Sequence, residues 1–248
     1  MTSQLTVAAR FRGPATSGNG GYTAGLLASL VPGGGEPGAA ITVRLRTPPP
    51  LDTPMAVETR RGTTVARHGS TVVATAIPAT VELSQVPPVA HEVAVTAAAG
   101  YAGLTEHPFP ECFVCGTNRR PGDGLRVFPG RTDPGRTASP WRPDESVADS
   151  AGRVPLPVVW ASLDCPGGWT AEMEGRPMVL GTMSARVDAL PLVGEECVVT
   201  GALRTASGRF AETLTSLYGD GGRPLAHAYA IWVEIDAPAF NRFFAPAT

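Results

Sequence analysis

Two kinds of hydrophobic periodicity alternate along the chain. After Tyr22, apolar residues at positions 26, 27 and 30 follow helical spacing, and the Pro-Gly-Gly-Gly stretch at 32–35 ends the pattern. Much later, residues 225–233 alternate as a strand does, with apolar side chains on both of its faces. A strand of this kind is covered on both sides. The pattern therefore predicts a helix that begins near Gly20 and a buried strand close to the carboxyl end.

The same succession of patterns occurs twice. Residues 20–24, Gly-Gly-Tyr-Thr-Ala, recur as residues 167–171, Gly-Gly-Trp-Thr-Ala. The strand patterns that follow also match, 43–45 with 185–187 and 70–77 with 224–231. Their ordered succession indicates a duplicated domain whose insertions lie in turns. The repeat predicts a second helix that starts near Pro166.

Each half is predicted to contain a strand, one helix and then three or four strands, which is an α+β arrangement. We place the amino-terminal half at residues 1–100 and the carboxyl-terminal half at residues 101–248. The stretch from 79 to 153 is rich in proline and glycine, so we expect crossing loops there rather than helices. Within it, residues 124–128 predict a strand.

Composition excludes several classes of function. The net charge is −2 and only 17% of residues are charged, which argues against a nucleic-acid-binding or membrane-surface protein. All 20 basic residues are arginine, so Schiff-base chemistry, a pyridoxal-phosphate anchor and a P-loop lysine are excluded. The sequence shows no spanning helix and no secretory signal, and it contains four cysteines, which together predict a cytoplasmic protein.

Two segments resemble a known family. Residues 107–118, His-Pro-Phe-Pro-Glu-Cys-Phe-Val-Cys-Gly-Thr-Asn, followed by Gly-Leu-Arg at 124–126, resemble the Cys-Phe-x-Cys-Gly…Asn…Gly-Leu stretch of hotdog thioesterases. Residues 159–164 are similar to the Ala-x-Leu-x-Asp segment of that family's helix, whose acidic residue is often catalytic. The first half, with its Gly-Gly helix start, resembles the leading half of double-hotdog acyl-CoA thioesterases.

The resemblance implies a tandem, or double, hotdog fold, in which each half is a central helix wrapped by a curved antiparallel sheet. It also implies hydrolysis of acyl-CoA or carrier-bound acyl thioesters, with no cofactor. A glutamine on the last strand helps to position water in the double-hotdog enzymes, and residues 225–233 contain none. The alternative therefore stays open that the chain is a non-catalytic module that binds acyl groups or other small ligands. A fused pair of hotdogs already supplies the usual dimer, and a homo-oligomer of such units is possible.

Asp164 is the leading catalytic candidate, as a general base on water or as a nucleophile. The amides of Gly167 and Gly168 are candidates to hold the oxyanion, because helix N-termini favour negative charge. The alternative for Asp164 is an N-terminal cap of its own helix, with Pro166 in the first turn.

In the first copy, Asn19 precedes Gly20 and Gly21, and all three are candidates for substrate binding. Asn19 either caps its helix or orients a carbonyl or a water molecule. Ser17 stands where the repeat places Asp164 in the second copy. If the chain is a catalyst, the second half therefore carries the carboxylate.

Four further polar residues have both a functional and an ordinary interpretation. Thr182 and Ser184 could supply a hydroxyl to the catalytic water, or they are ordinary strand residues. His227 introduces a titratable group on an apolar strand face, which indicates either a pocket or a hydrogen-bonded core histidine. Arg119 could meet the phosphates of coenzyme A, or it belongs to a solvated loop.

Cys112 and Cys115 form a Cys-x-x-Cys pair, which is half of a structural zinc site. The remaining ligands would have to come from His107, Cys165 or Cys197, none of which has a second paired spacing. We therefore expect no metal in this protein.

Overall fold

The structure is a computed structural model that describes residues 3–236 and residue 240. The regular elements are four α-helices and eleven strands within the described residues. The helices are α1 (Gly20–Ser29), α2 (His91–Ala99), α3 (Leu156–Ser162) and α4 (Asp164–Gly168). The strands are β1 (Ser3–Leu5), β2 (Ala40–Leu45), β3 (Met55–Arg60), β4 (Thr63–His68), β5 (Thr71–Pro78), β6 (Gly130–Asp133), β7 (Arg136–Trp141), β8 (Met178–Val187), β9 (Cys197–Ser207), β10 (Phe210–Gly219) and β11 (Arg223–Glu234).

The strands form one open antiparallel sheet in the order β1-β3-β4-β5-β2-β8-β11-β10-β9-β7-β6. The first five strands come from residues 3–78 and the other six from residues 130–234, so each half of the chain supplies one continuous half of the sheet. Among the strands that the structure describes, only the β2–β8 pair joins the two halves of the sheet. The predicted α+β class and the duplicated architecture are confirmed.

The register at this junction shows how the halves are related. Thr42 lies opposite Ser184 at the middle of the β2–β8 pairing, and their hydroxyl oxygens are 2.8 Å apart. A twofold axis through this pair superposes Arg44 on Arg186. The sequence repeat aligns the same two arginines, so its alignment of 43–45 with 185–187 is confirmed. Its alignment of 70–77 with 224–231 is wrong by two residues, because Thr75 lies beside Arg44 as His227 lies beside Arg186.

The predicted position of the second helix is wrong. That helix begins at Leu156, not near Pro166, and continues through α4 after a break at Leu163. Pro157, within the first turn of α3, suits a helix start because its missing N–H has no intrahelical acceptor there. The Gly-Gly motif opens α1 in the first copy, whereas it closes α4 in the second. The five-residue match therefore joins segments that are not structurally equivalent.

The helices α1 and α3 pack against each other at very short range. A Cβ placed on Gly25 would lie 2.6 Å from Pro157 Cα, and one on Gly21 would lie 3.1 Å from Ala161 Cα. The order of these contacts makes the helices antiparallel, as the twofold relation requires. Glycine at both positions permits the close approach.

The connecting segment also differs from the prediction. It contains the helix α2, whose sequence His-Glu-Val-Ala-Val-Thr-Ala-Ala-Ala is rich in the best helix former. Residues 124–128 are irregular, and the strands β6 and β7 follow them instead. The many prolines flank α2 rather than interrupt it, which is why overall composition gave the wrong result.

The segment before α2 crosses the outer face of the carboxyl-terminal half of the sheet. The Ser216 hydroxyl accepts a hydrogen bond from Val86 N–H at 2.9 Å, and Val86 C=O accepts one from the Tyr218 hydroxyl. The helix α2 then packs on β6 so closely that a Cβ on Gly130 would clash with Ala97 C=O. The helix α2 precedes residue 100 but packs against strands of the second half. The boundary between the two halves at residue 100 therefore stays a proposal.

The main core lies between the helices and the inner face of the sheet. Its largest buried side chains include Trp160, Trp169, Phe113, Leu27 and Met183. Among the helices that the structure describes, none is long and apolar enough to span a membrane.

Candidate active site

A cavity of about 190 Å³ lies at the amino-terminal end of α1, between the two halves of the molecule. Most of its lining is apolar, and it receives side chains from both halves. Its lining includes Ser17, Asn19, Gly20, Arg46, His107, Cys112, Cys115, Asp164, Cys165 and Trp232. Asp164 is the one carboxylate among the described residues that line this cavity.

Asp164 is 3% exposed and links the two central helices. Its Oδ2 accepts a hydrogen bond from Asn19 Nδ2 at 2.8 Å and another from Gly21 N–H at 3.0 Å. Its Oδ1 is buried and has no hydrogen-bond partner among the described residues. Burial raises the pKa of this carboxyl to about 7, and the bond from Gly21 N–H partly offsets the effect.

The two sequence interpretations of Asp164 and Asn19 have different outcomes. Asn19 is the N-cap of α1, because its Oδ1 accepts from Tyr22 N–H at 2.8 Å. Asp164 does not cap its own helix: it lies at the start of α4, just past the end of α3, and accepts no local amide. It instead binds an amide in the first turn of α1, where the helix dipole favours negative charge. One carboxylate oxygen is thus held in place and the other is left free.

Gly20 lines the cavity beside Asn19, and Gly21 lies one residue further along α1 against Asp164. Ser17 lines the same cavity, and its buried hydroxyl has no hydrogen-bond partner in residues 3–236 or residue 240. The sequence repeat identified Ser17 only as the residue of the first copy that corresponds to Asp164 in the second. The fold brings both residues to one cavity. No signal in the sequence distinguishes this serine from an ordinary loop residue.

Gly167 and Gly168 do not border the cavity, so the structure does not bring these candidate oxyanion residues to it. A Cβ on Gly167 would lie 2.6 Å from Thr213 Oγ1, and one on Gly168 would lie 2.8 Å from the Trp232 ring. Both glycines end α4 and allow it to pack on β10 and β11. Gly20 at the start of α1, and not the glycines of α4, lines the cavity.

Thr182 and Ser184 are also not brought to the cavity. Met183 and Ala185 are fully buried in the main core, so their neighbours along β8 point to the other face of the sheet. There Ser184 pairs with Thr42 at the junction of the halves. These hydroxyls are ordinary strand residues on the face away from the helices.

His227 is a buried strand residue outside the cavity. It lies between Arg186 and Ser216 on the neighbouring strands, on the face that the connecting segment crosses. Burial lowers the pKa of its imidazole. Its position outside the cavity therefore does not support the pocket interpretation of this histidine.

Arg119 is not available to bind phosphates. Its guanidinium donates to both Asp123 oxygens, to Glu111 C=O and to Arg10 C=O, and the residue is buried. It fixes the cysteine loop to the amino-terminal segment. Arg46, by contrast, is exposed and borders the cavity.

The cysteine pair does not stand alone in the folded chain. The Sγ atoms of Cys112, Cys115 and Cys165 all lie within 4.8 Å of one another, and all three residues are buried. His107 Nε2 is 3.4 Å from Cys115 Sγ. Hydrogen bonds from the neighbouring thiols hold the pKa of Cys112 well below its usual range, and burial lowers the pKa of His107. Sequence spacing could not reveal this group, because Cys165 lies on α4, far along the sequence from the other two cysteines.

Comparisons with known proteins match the fold and not the sequence. No protein-family profile and no curated protein sequence matches the chain. Among solved structures, the chain is similar to a putative thioesterase from Novosphingobium aromaticivorans, with 15% identity, a TM-score of 0.63 and coverage of 95% of this chain and 96% of that one.

Two other similar structures extend the same finding. An acyl-CoA thioesterase II from Mycobacterium marinum is 14% identical, with a TM-score of 0.61 and coverage of 94% and 93%. A hot dog fold protein of unknown function from Alicyclobacillus acidocaldarius is 15% identical, with a TM-score of 0.60 and coverage of 95% and 93%. The chain therefore has a tandem hotdog fold, shared along nearly its full length with thioesterase-like structures.

Proposed function

We propose that this protein hydrolyses acyl thioesters in the cavity around Asp164, with Asp164 as the general base. The observation that carries the proposal is a buried carboxylate in a mainly apolar cavity, whose Oδ1 has no hydrogen-bond partner within the described part of the chain. A buried polar atom without a partner is costly in a folded protein and is retained where a ligand or water completes it. The resemblance of the fold to thioesterases supports the same reaction class.

The reaction follows from the fixed geometry of this carboxylate. Asp164 Oδ1 takes a proton from a water molecule, whose oxygen attacks the thioester carbonyl and forms a C–O bond. We propose that the amide of Gly20, which lines the cavity at the start of α1, stabilises the negative charge on the carbonyl oxygen. When the C–S bond breaks, the proton passes from Asp164 to the leaving thiolate. Asn19 and Gly21 hold Oδ2 throughout.

Arg46 is the candidate residue for binding the carrier of the acyl group. It is exposed at the border of the cavity, and a guanidinium binds phosphate oxygens well. We propose that it meets a phosphate of coenzyme A or of a phosphopantetheine arm, the role that Arg119 was expected to have.

The first experiment measures thiol release by the wild-type protein from acyl-CoA substrates of increasing chain length and from the matching acyl-N-acetylcysteamine thioesters. We expect turnover of both series, with a higher KM for the second, which lacks phosphates. Binding of acyl-CoA without any turnover would instead support a non-catalytic binding module. That alternative is favoured by one observation, the absence of glutamine from β11.

The second experiment tests Arg46. Arg46→Ala should raise KM for acyl-CoA about 10-fold, the loss of one charge-assisted contact of about 1.4 kcal/mol. It should leave KM for the N-acetylcysteamine thioesters unchanged. Arg61→Ala, in the exposed turn between β3 and β4, is the matched control. Equal effects of Arg46→Ala on both substrate series would remove Arg46 from phosphate binding.

The four cysteines are all unpaired thiols, which is usual in a reducing compartment. We therefore also propose that the protein works in the cytoplasm.

A further inference from the structure

Three buried thiols surround one point at the wall of the cavity. The Sγ atoms of Cys112 and Cys165 are 3.7 Å apart, and Cys115 Sγ lies within 4.8 Å of both. In a tetrahedral zinc site with Zn–S bonds of about 2.3 Å, neighbouring sulfurs are about 3.8 Å apart. We propose that Cys112, Cys115 and Cys165 bind one Zn²⁺ ion as thiolates, with the fourth coordination position open to the cavity.

The cysteine loop closes in a tight turn at Gly116. Cys112 C=O accepts from Gly116 N–H at 2.9 Å, and a Cβ on Gly116 would lie 2.4 Å from that oxygen, so the turn requires glycine. The turn holds Cys112 and Cys115 close together beside Cys165. Asn19 Nδ2 lies 3.8 Å from the Cys112 sulfur and donates a hydrogen bond to it.

His107 is the nearest nitrogen, but its hydrogen bonds exclude it as the fourth ligand. Its Nδ1 accepts from Phe109 N–H at 2.9 Å, so in the neutral ring Nε2 carries the proton. Nε2 faces Cys115 C=O at 3.1 Å and Cys115 Sγ at 3.4 Å, as a donor does. A histidine that binds metal has the opposite arrangement, in which the other ring nitrogen donates a proton.

The three thiolate ligands and their position at the cavity wall determine which metal ion we expect to bind. Thiolates favour zinc over calcium and magnesium, which take oxygen ligands. All three cysteines line the cavity, so the remaining position faces the space that water or a substrate group would enter. Zinc sites with three protein ligands and an open position are the type found in enzymes. This inference goes beyond thioester hydrolysis, because metal binding needs no turnover.

The sequence predicted no metal, because no residue completes the Cys-x-x-Cys pair by spacing. The fold supplies the missing ligand from the α3–α4 helix, where Cys165 follows Asp164. The folded arrangement therefore removes the reason for that expectation.

The test is metal content after expression with zinc and purification without chelator, in reducing buffer. The wild type should contain about one zinc per chain, and Cys165→Ala should lose it. Cys197→Ala is the matched control, because this buried cysteine on β9 lies outside the group. His107→Ala should keep its zinc. Circular dichroism checks that each variant is folded.

Cobalt substitution of the wild type tests the site without any variant. The Co²⁺ protein should show thiolate-to-metal charge-transfer bands and the intense visible bands of tetrahedral cobalt, and added azide should shift the visible bands. A wild type that takes up neither Zn²⁺ nor Co²⁺, or a folded Cys165→Ala variant with full zinc content, would overturn the proposal. Loss of zinc in His107→Ala, or no response to azide, would overturn the open position.

Discussion

Asp164 and Asn19 act as one unit across the two halves of the chain. The Asn19 side chain uses its oxygen to cap α1 and its nitrogen to hold Asp164 Oδ2. The same side chain therefore supports the helix and positions the carboxylate. These two roles can be separated, because serine caps a helix about as well as asparagine but is too short to reach the carboxylate.

Asn19→Ser should lower kcat for thioester hydrolysis while the free energy of unfolding changes little. Asn19→Ala should lower kcat similarly and should also destabilise the protein by about 1 kcal/mol, through loss of the cap. Steady-state kinetics and urea unfolding of both variants measure the two effects. If Asn19→Ser keeps the wild-type kcat and KM, Asn19 is a cap alone and has no positioning role.

The sequence identified only the part of the site that local patterns encode. Asn19 could be found because it stands at a recognisable helix start beside glycines, and Asp164 because residues 159–164 resemble the acidic segment of the thioesterase helix. Thr182 and His227 were assigned to the wrong face of the sheet. A single β-bulge, or a shift of one residue along a strand, moves a side chain to the other face. Ser17 and Cys165 enter the cavity only through tertiary packing, which has no signature along the chain.

At the scale of elements, the close crossing of α1 and α3 determines where the carboxylate lies. The predicted start of α1 is confirmed, since Asn19 and the following glycines carry a local capping signal. The second helix was placed too late, because a repeated Gly-Gly motif was taken as a start signal when it serves a packing contact at a helix end. Its true start depends on Pro155 and Pro157, which the proline-rich context concealed.

Gly25→Ala tests this crossing. Alanine in the middle of a helix normally stabilises a protein by about 1 kcal/mol relative to glycine. At Gly25 the new Cβ would lie 2.6 Å from the Pro157 backbone, so we expect a net loss of about 1–3 kcal/mol in the free energy of unfolding. Gly35→Ala is the control, because a Cβ there meets nothing within 4 Å. Urea unfolding that shows Gly25→Ala as stable as the wild type would contradict the close crossing.

At the scale of the whole molecule, two similar halves produce an asymmetric site. The register of β2 against β8 places the halves in a twofold relation, yet α1 contains no acidic residue while the α3–α4 helix carries Asp164. The first half contributes the helix start and Asn19, and the second contributes the carboxylate. The chain should therefore behave as an enzyme with one site, not two.

The most direct test of the proposed active site is the turnover of Asp164→Asn on an acyl-CoA substrate. Asparagine can keep both hydrogen bonds of Oδ2 through its amide oxygen, so the variant should fold normally while it loses the base. We expect kcat to fall by about 10²–10⁴-fold. Asp133→Asn, on the exposed edge strand β6, should retain wild-type turnover as the control. A folded Asp164→Asn protein with full activity would contradict the proposed role of Asp164 and, with it, the assignment of this cavity as the active site.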